Sequence, residues 1–129
     1  PTVDANNKAL PDHKNATMDN KQTEAVIVAL SDEANSFAKQ GNTAKAAATI
    51  ERGLRIESKN AQLWHQLAAI RIQQQQWQQA IALARKSNAL AAGDTKLKSA
   101  NWGLIARAYD RLGNKQKADE ARAKQRAQS

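Results

Sequence analysis

The stretch "RIQQQQWQQA" (residues 71–80) puts six glutamines and one tryptophan into the seven positions that follow Ile72. It is either a low-complexity linker between two separate pieces or a bend between helices in which glutamine is tolerated. Internal self-similarity separates the two readings. "GNTAKA" (41–46) and "GNKQKA" (113–118) share the form G-N-x-x-K-A and lie 72 residues apart. A shift of 34 from the first lands on "QQWQQA" (75–80), and a further shift of 38 reaches the last. Ala46, Ala80 and Ala118 therefore share one register, and the glutamine run takes the place of a Gly-Asn turn between helices.

The same offsets align Leu30 with Trp64 and Trp102, Ala34 with Ala68 and Ala106, and Phe37 with Arg71 and Tyr109. Each unit reads as two helices. In the middle one Asn60 is an N-cap for "AQLWHQLAAIRIQQ", whose Leu63, Trp64, Leu67, Ala68 and Ile70 recur at helical spacing. Its second helix, "QQAIALARKSNALAA", is expected to end at Gly93 as the C′ residue, with Asp94 capping the next helix. Trp77 should open that second helix. Small residues at the six alanine positions let paired helices approach closely, and the bulky positions fill the space between them.

Composition agrees with close-packed helices. Aromatics make up 4% of the 129 residues, glycine and proline together number seven, and alanine dominates the apolar fraction. No run approaches the roughly 18 apolar residues of a membrane span. The absence of cysteine excludes disulfides and thiolate chemistry. The net charge of +8 is uneven: residues 58–93 contain no acid, and residues 94–129 hold nine Lys/Arg against four Asp/Glu. That balance favours anionic partners. Residues 1–20, with two prolines and four asparagines, read as a flexible leader, and 21–129 as the folded domain.

These residues resemble the tetratricopeptide repeat (TPR) family. Its W-x2-L-[GA]-x2-Y pattern and 34-residue period stand here as Trp64/Leu67/Ala68/Arg71/Ala80 and Trp102/Ile105/Ala106/Tyr109/Ala118, with a weaker copy at Leu30/Glu33/Ala34/Phe37/Ala46. The resemblance implies an all-α, right-handed α-solenoid of three helical hairpins, over about 24–59, 60–93 and 94–128. Three departures stand out. The proline that usually closes each unit is replaced by Ser58 and Ala92, Arg71 replaces an aromatic, and the third unit begins four residues late. Four residues are about one helical turn, so its first helix should be one turn longer. The last helix, "KQKADEARAKQRAQ", has only alanine on its apolar side and would act as the polar cap.

Catalytic chemistry finds little support. His13 lies in the leader, and His65 has no patterned acid or nucleophile beside it. Asp32/Glu33 and Asp119/Glu120 are neighbours in helices and so point apart, which makes them solvated surface. "NAT" at 15–17 is best read as a chance match to a glycosylation acceptor. Trp64 and Trp102 occupy core positions of the repeat, so packing explains them better than a stacking platform does. No enzyme activity, cofactor or metal is expected.

What remains is surface. The resemblance implies a concave groove lined by the first helices, in which Asn35, Lys39, His65, Gln73, Arg107 and Arg111 form a polar, cationic lining. Such a lining suits an extended peptide carrying acids or a terminal carboxylate. Ser31 stands where the carboxylate clamp of chaperone-binding members has lysine. Over residues 24–125 the chain also looks like the small Gram-negative TPR lipoproteins of the LpoP type, which activate a bifunctional peptidoglycan synthase, penicillin-binding protein 1b. That resemblance implies a periplasmic domain on an outer-membrane lipid anchor upstream of Pro1, acting as a monomer on a protein partner. The alternative is a generic adaptor, cytoplasmic or periplasmic, that holds an acidic peptide in the groove. Nucleic acid is not an expected partner, because the basic residues lack interleaved exposed aromatics.

Overall fold

The computed structural model describes residues 19–128. The leader expected over 1–20 therefore lies outside the described residues, apart from its last two. Asp19 is the N-cap of the first helix, closing a capping box with Gln22, and Asn20 is that helix's first residue. Six helices follow: α1 (Asn20–Lys39), α2 (Thr43–Ile56), α3 (Ala61–Gln73), α4 (Trp77–Leu90), α5 (Thr95–Arg111) and α6 (Lys115–Ala127). Every helix packs on its neighbour in sequence, and α3 also touches α1 and α5. The first helices thus form one continuous layer, while α2, α4 and α6 stand apart from one another behind it. α5 has 17 residues against 13 in α3, the extra turn expected from the late start; α1, with 20, is longer than both.

The six aligned alanines explain how the hairpins close. Ala34, Ala46, Ala68, Ala80, Ala106 and Ala118 are all buried. Around them lie two clusters, one built on Ile27, Ile50, Leu54, Leu63 and Leu67, the other on Ile81, Leu104 and Ile105. α6 contributes only Ala118 and Ala121 to the interior, as expected of a polar cap.

The glutamine run is a bend, built like its two counterparts. At each of the three bends the amide of the second residue past the C-cap (Asn42, Gln76 or Asn114) donates to a carbonyl in the last helical turn. The acceptors are Phe37, Arg71 and Tyr109, and the preceding amides of Gly41, Gln75 and Gly113 reach Ala38, Ile72 and Asp110. This pair of bonds is the Schellman closure, which needs a left-handed residue just past the helix. Gly41 (φ 79°) and Gly113 (φ 76°) supply it without strain, whereas in the middle bend Gln75 is held at φ 61°. Asn42 and Asn114 also cap the next helix through their side chains, while Gln76 makes no such bond. The middle bend has kept the backbone and lost both residues that favour it.

One sequence expectation needs correction. Gly93 is not the left-handed residue after α4: the helix ends at Leu90, and Ala92 takes that conformation at φ 50°. The packing expected of Trp64 and Trp102 holds, since each lies against one of the two clusters, but only in part: they are half-buried, whereas Leu30, their counterpart, is buried. Each indole carries a lysine over its ring, Lys86 at 5.8 Å and Lys124 at 4.6 Å from the ring centroids. Trp64 Nε1 also donates to the Ser58 carbonyl at 2.8 Å. Arg71, the intruder at an aromatic position, is held by Gln74 at 2.8 Å and Glu51 at 3.6 Å.

Candidate functional site

The layer of first helices carries two adjoining hollows. The smaller, about 280 Å³, lies between α1 and α3 and is lined by Ser31, Asn35, Ala38, Gln62, Gln66 and Gln73 among others. The larger, about 480 Å³, lies between α3, α5 and α6 over Ala100, Gly103, Arg107, Arg122 and Gln125. His65 lines both and forms the seam between them.

In the α1–α3 hollow several polar groups are already engaged with one another. Gln66 Nε2 donates to Asn35 Oδ1 (3.1 Å), its Oε1 accepts from Ser31 Oγ (2.8 Å), and Gln73 Nε2 donates to the Ala38 carbonyl (2.9 Å). Asn35 and Gln73 therefore stitch the first two hairpins together. The larger hollow is less committed. Arg107 is exposed and makes no ion pair among the described residues. Gly103 forms part of the hollow's lining, and a Cβ there would come within 2.6 Å of Gln125 Nε2, so the missing side chain lets the α6 amide lie against α5.

A buried relay fixes the seam. Asn101 is fully buried, and its Nδ2 donates to Ser87 Oγ (2.7 Å) and to Asn88 Oδ1 (2.9 Å). Both amide hydrogens are then used, so its Oδ1 accepts from His65 Nδ1 at 2.7 Å. Ser87 Oγ passes its hydrogen to the Ala61 carbonyl (2.8 Å). His65 is thus oriented from beneath, and its Nε2 finds no partner among the described residues.

Of the six expected groove residues, Asn35, His65, Gln73 and Arg107 line the hollows. Lys39 is exposed and lines neither. Arg111 also lies outside them, stacked on the Trp77 ring at 4.8 Å. Sequence reasoning missed Gln66, Arg122 and Gln125. The last two sit on α6, a second helix, which packs on α5 and brings them into the larger hollow. Among the described residues no group of three or more His, Asp or Glu side chains is placed to hold a metal.

Arg122 binds Asp110 at 2.7 Å and Asp119 at 2.8 Å, with Lys115 adding a second bond to Asp119 at 3.0 Å. The Arg122 hydrogen bonds hold both carboxyls below their ordinary value and raise the guanidinium further. A depressed carboxyl stabilises the fold above its ordinary pKa and ceases to do so as pH falls through the lowered one. The α6 amides should therefore lose exchange protection below about pH 4, before those of α3 do. Amide exchange across an acid series checks this; simultaneous loss in both helices would count against it. The groups lie at the surface, so the effect is local.

No protein-family model and no curated protein matches the chain. Among solved structures, the globular C-terminal domain of LpoP from P. aeruginosa superposes with a TM-score of 0.77 at 30% identity, over 85% of this chain and 99% of that one. The chain belongs to the TPR family, in its LpoP type. Two further TPR domains share the fold of this LpoP-type domain. The N-terminal domain of stress-induced protein-1 (STI-1) from C. elegans gives a TM-score of 0.76 at 16% identity, covering 85% of this chain and 88% of that one. The second TPR of Spaghetti (RPAP3), bound to the HSP90 peptide SRMEEVD, gives 0.72 at 18% identity, covering 84% and 99%. At these identities the last two speak for the architecture alone. The family fold is one that presents surfaces to other proteins.

Proposed function

We propose that this domain is a non-enzymatic activator that binds a bifunctional peptidoglycan synthase, penicillin-binding protein 1b, in the periplasm, held at the outer membrane by a lipid anchor upstream of Pro1. The observation that carries the reading is the likeness to the LpoP C-terminal domain, which extends over nearly the whole of that domain. No helix among the described residues is long and apolar enough to cross a membrane. The domain would act by differential affinity: a surface that fits the active conformation of the synthase better than the resting one shifts its population without any chemistry of its own. A tether raises the local concentration of the domain near its target.

Adding the purified domain to purified synthase at equimolar ratio should raise the rate of glycan polymerisation. Unchanged polymerisation together with no detectable complex would sink the proposal.

A second reading is an adaptor that holds an acidic peptide or terminal carboxylate in the groove. It is favoured by the larger hollow, where Arg107 is unpaired and His65 Nε2 is free of partners among the described residues. Arg107→Glu should abolish such binding while leaving the fold intact, since Arg107 makes no ion pair among the described residues.

A further inference from the structure

The three hairpins are internal controls for one another, and one edge of the array departs from the pattern. At the junction of the first two hairpins, Arg71 of α3 is neutralised by Glu51 of α2 at 3.6 Å. At the junction of the second and third, the corresponding pair is Tyr109 of α5 and Arg85 of α4, whose Nη2 donates to the phenol oxygen at 2.8 Å. The acid of the first junction has become an arginine. Nearby, Arg111 stacks on Trp77 at 4.8 Å, and Lys117 lies over the Tyr109 ring at 5.6 Å as Lys45 does over Phe37 in the first hairpin. Among the described residues none of Arg85, Arg111 and Lys117 meets a carboxylate. The adjacent Asp110 is already engaged by Arg122.

The apolar lining departs as well. The C-cap residue of the first helix is Gln40 in the first hairpin and Gln74 in the second, but Leu112 in the third, where it stays 40% exposed. Leu112, Ile81, Tyr109 and Lys117 line a cleft of about 410 Å³ on this edge, away from the groove residues. Aromatic rings hold the cationic heads in position without cancelling their charge, so little side-chain ordering remains to be done on binding.

We propose that this α4–α5–α6 edge is a docking site for an acidic segment of a protein partner, one that carries an apolar side chain beside its carboxylates. The apolar group enters the cleft against Leu112 and Tyr109, and the carboxylates meet Arg85, Arg111 and Lys117. The inference rests on the domain being a protein-interaction module, and it names the face used. The rival occupant is a second copy of this chain, because Glu24, Val28 and Asp32 fall on one face of α1, with Val28 58% exposed.

The test is a titration of isotope-labelled domain, followed by amide chemical shifts, with a synthetic peptide blocked at both ends in which one leucine is flanked by glutamates. Saturable shifts should appear at Leu112, Asn114 and Lys117 and weaken with added salt. Leu112→Gln and Lys117→Gln should each reduce affinity roughly tenfold, equivalent to about 1.4 kcal/mol. The scaffold itself carries glutamine at the corresponding positions, Gln74 and Gln79, so neither variant endangers folding. Replacing the leucine of the peptide with alanine should weaken binding similarly, and Arg107→Gln should leave it unchanged. Shifts confined to His65, Gly103 and Arg107, or no saturable shift at all, would overturn the proposal. So would concentration-dependent shifts of α1 and the cleft without peptide, which would assign the edge to a second copy. Because the probe is a peptide alone, its failure leaves the synthase reading standing, and a failed synthase assay leaves this edge to be judged on its own.

Discussion

Asn101→Ala should lower the stability of the domain by about 2–4 kcal/mol, the largest loss expected from any single polar side chain here. Asn101 is fully buried and joins three helices: it accepts from His65 on α3 and donates to Ser87 and Asn88 on α4 while sitting on α5. Truncation leaves a small cavity and strands the Ser87 and His65 groups that faced the amide. It also worsens a site already short of partners, because Asn88 Nδ2 is buried with no acceptor among the described residues. Replacement by leucine would fill the volume but not restore the hydrogen bonds, so it should cost a similar amount. Asp would accept from His65 yet bring a buried charge against two oxygens, an unfavourable exchange. Denaturant melts of Asn101→Ala and Asn101→Leu against Arg107→Ala, expected within about 0.5 kcal/mol of the parent, make the comparison. If the Asn101 variants match the Arg107 control, the relay is not what fixes the groove.

The second large effect runs the other way. Gln75→Gly combined with Gln76→Asn should stabilise the domain by roughly 1–3 kcal/mol. The first change removes a glutamine from the left-handed region, where an L side chain costs about 1–2 kcal/mol. That gain is reduced by the greater freedom of glycine in the unfolded chain. The second change restores a capping oxygen at the start of α4, worth about 0.5–2 kcal/mol. Both substitutions copy what the chain uses at Gly41/Asn42 and Gly113/Asn114, where the same backbone bonds form. Gln74→Gly is the control. Gln74 is the C-cap at φ −81°, where glycine has no conformational advantage and should destabilise. A rise in the denaturation midpoint with the double variant, at unchanged denaturant slope, is the expected result. No rise would mean that the bend is not strained.

The glutamine-rich bend shows why some of the architecture could be read from one dimension. A helix–turn–helix closure is satisfied by residues within a few positions of each other, so Gly41, Asn42, Gly113 and Asn114 mark it directly. Gln75 could then be placed by register although its own chemistry argues against the position. Alanine spacing was legible for a similar reason: each buried alanine repeats where two helices must come close, and all six are buried. Gly93 misled because glycine is permissive, not directive, and the chain turned one residue earlier at Ala92.

The groove was only partly legible. The resemblance to the TPR family implied Asn35, Gln73 and Arg111 as part of its lining. It could not reveal that the first two bind α3 and α1 to each other, or that Trp77 captures the third. Arg122 and Gln125 come from a second helix, which the resemblance leaves out of the groove, and the glycine at 103 was the one hint that something from elsewhere lies against that position.

The sequence by itself determined the repeat, the helical hairpins with their Gly-Asn bends and the alanine seams, because those depend on interactions a few residues long and on a period that recurs. Tertiary structure alone decided which charges stay free, which rings carry cations, and which junction of hairpins is neutral or basic. Those outcomes depend on side chains 20 to 40 positions apart meeting across helices, as His65 and Asn101 do at 36 and Arg85 and Tyr109 at 24. No local pattern encodes the packing angle that brings them together.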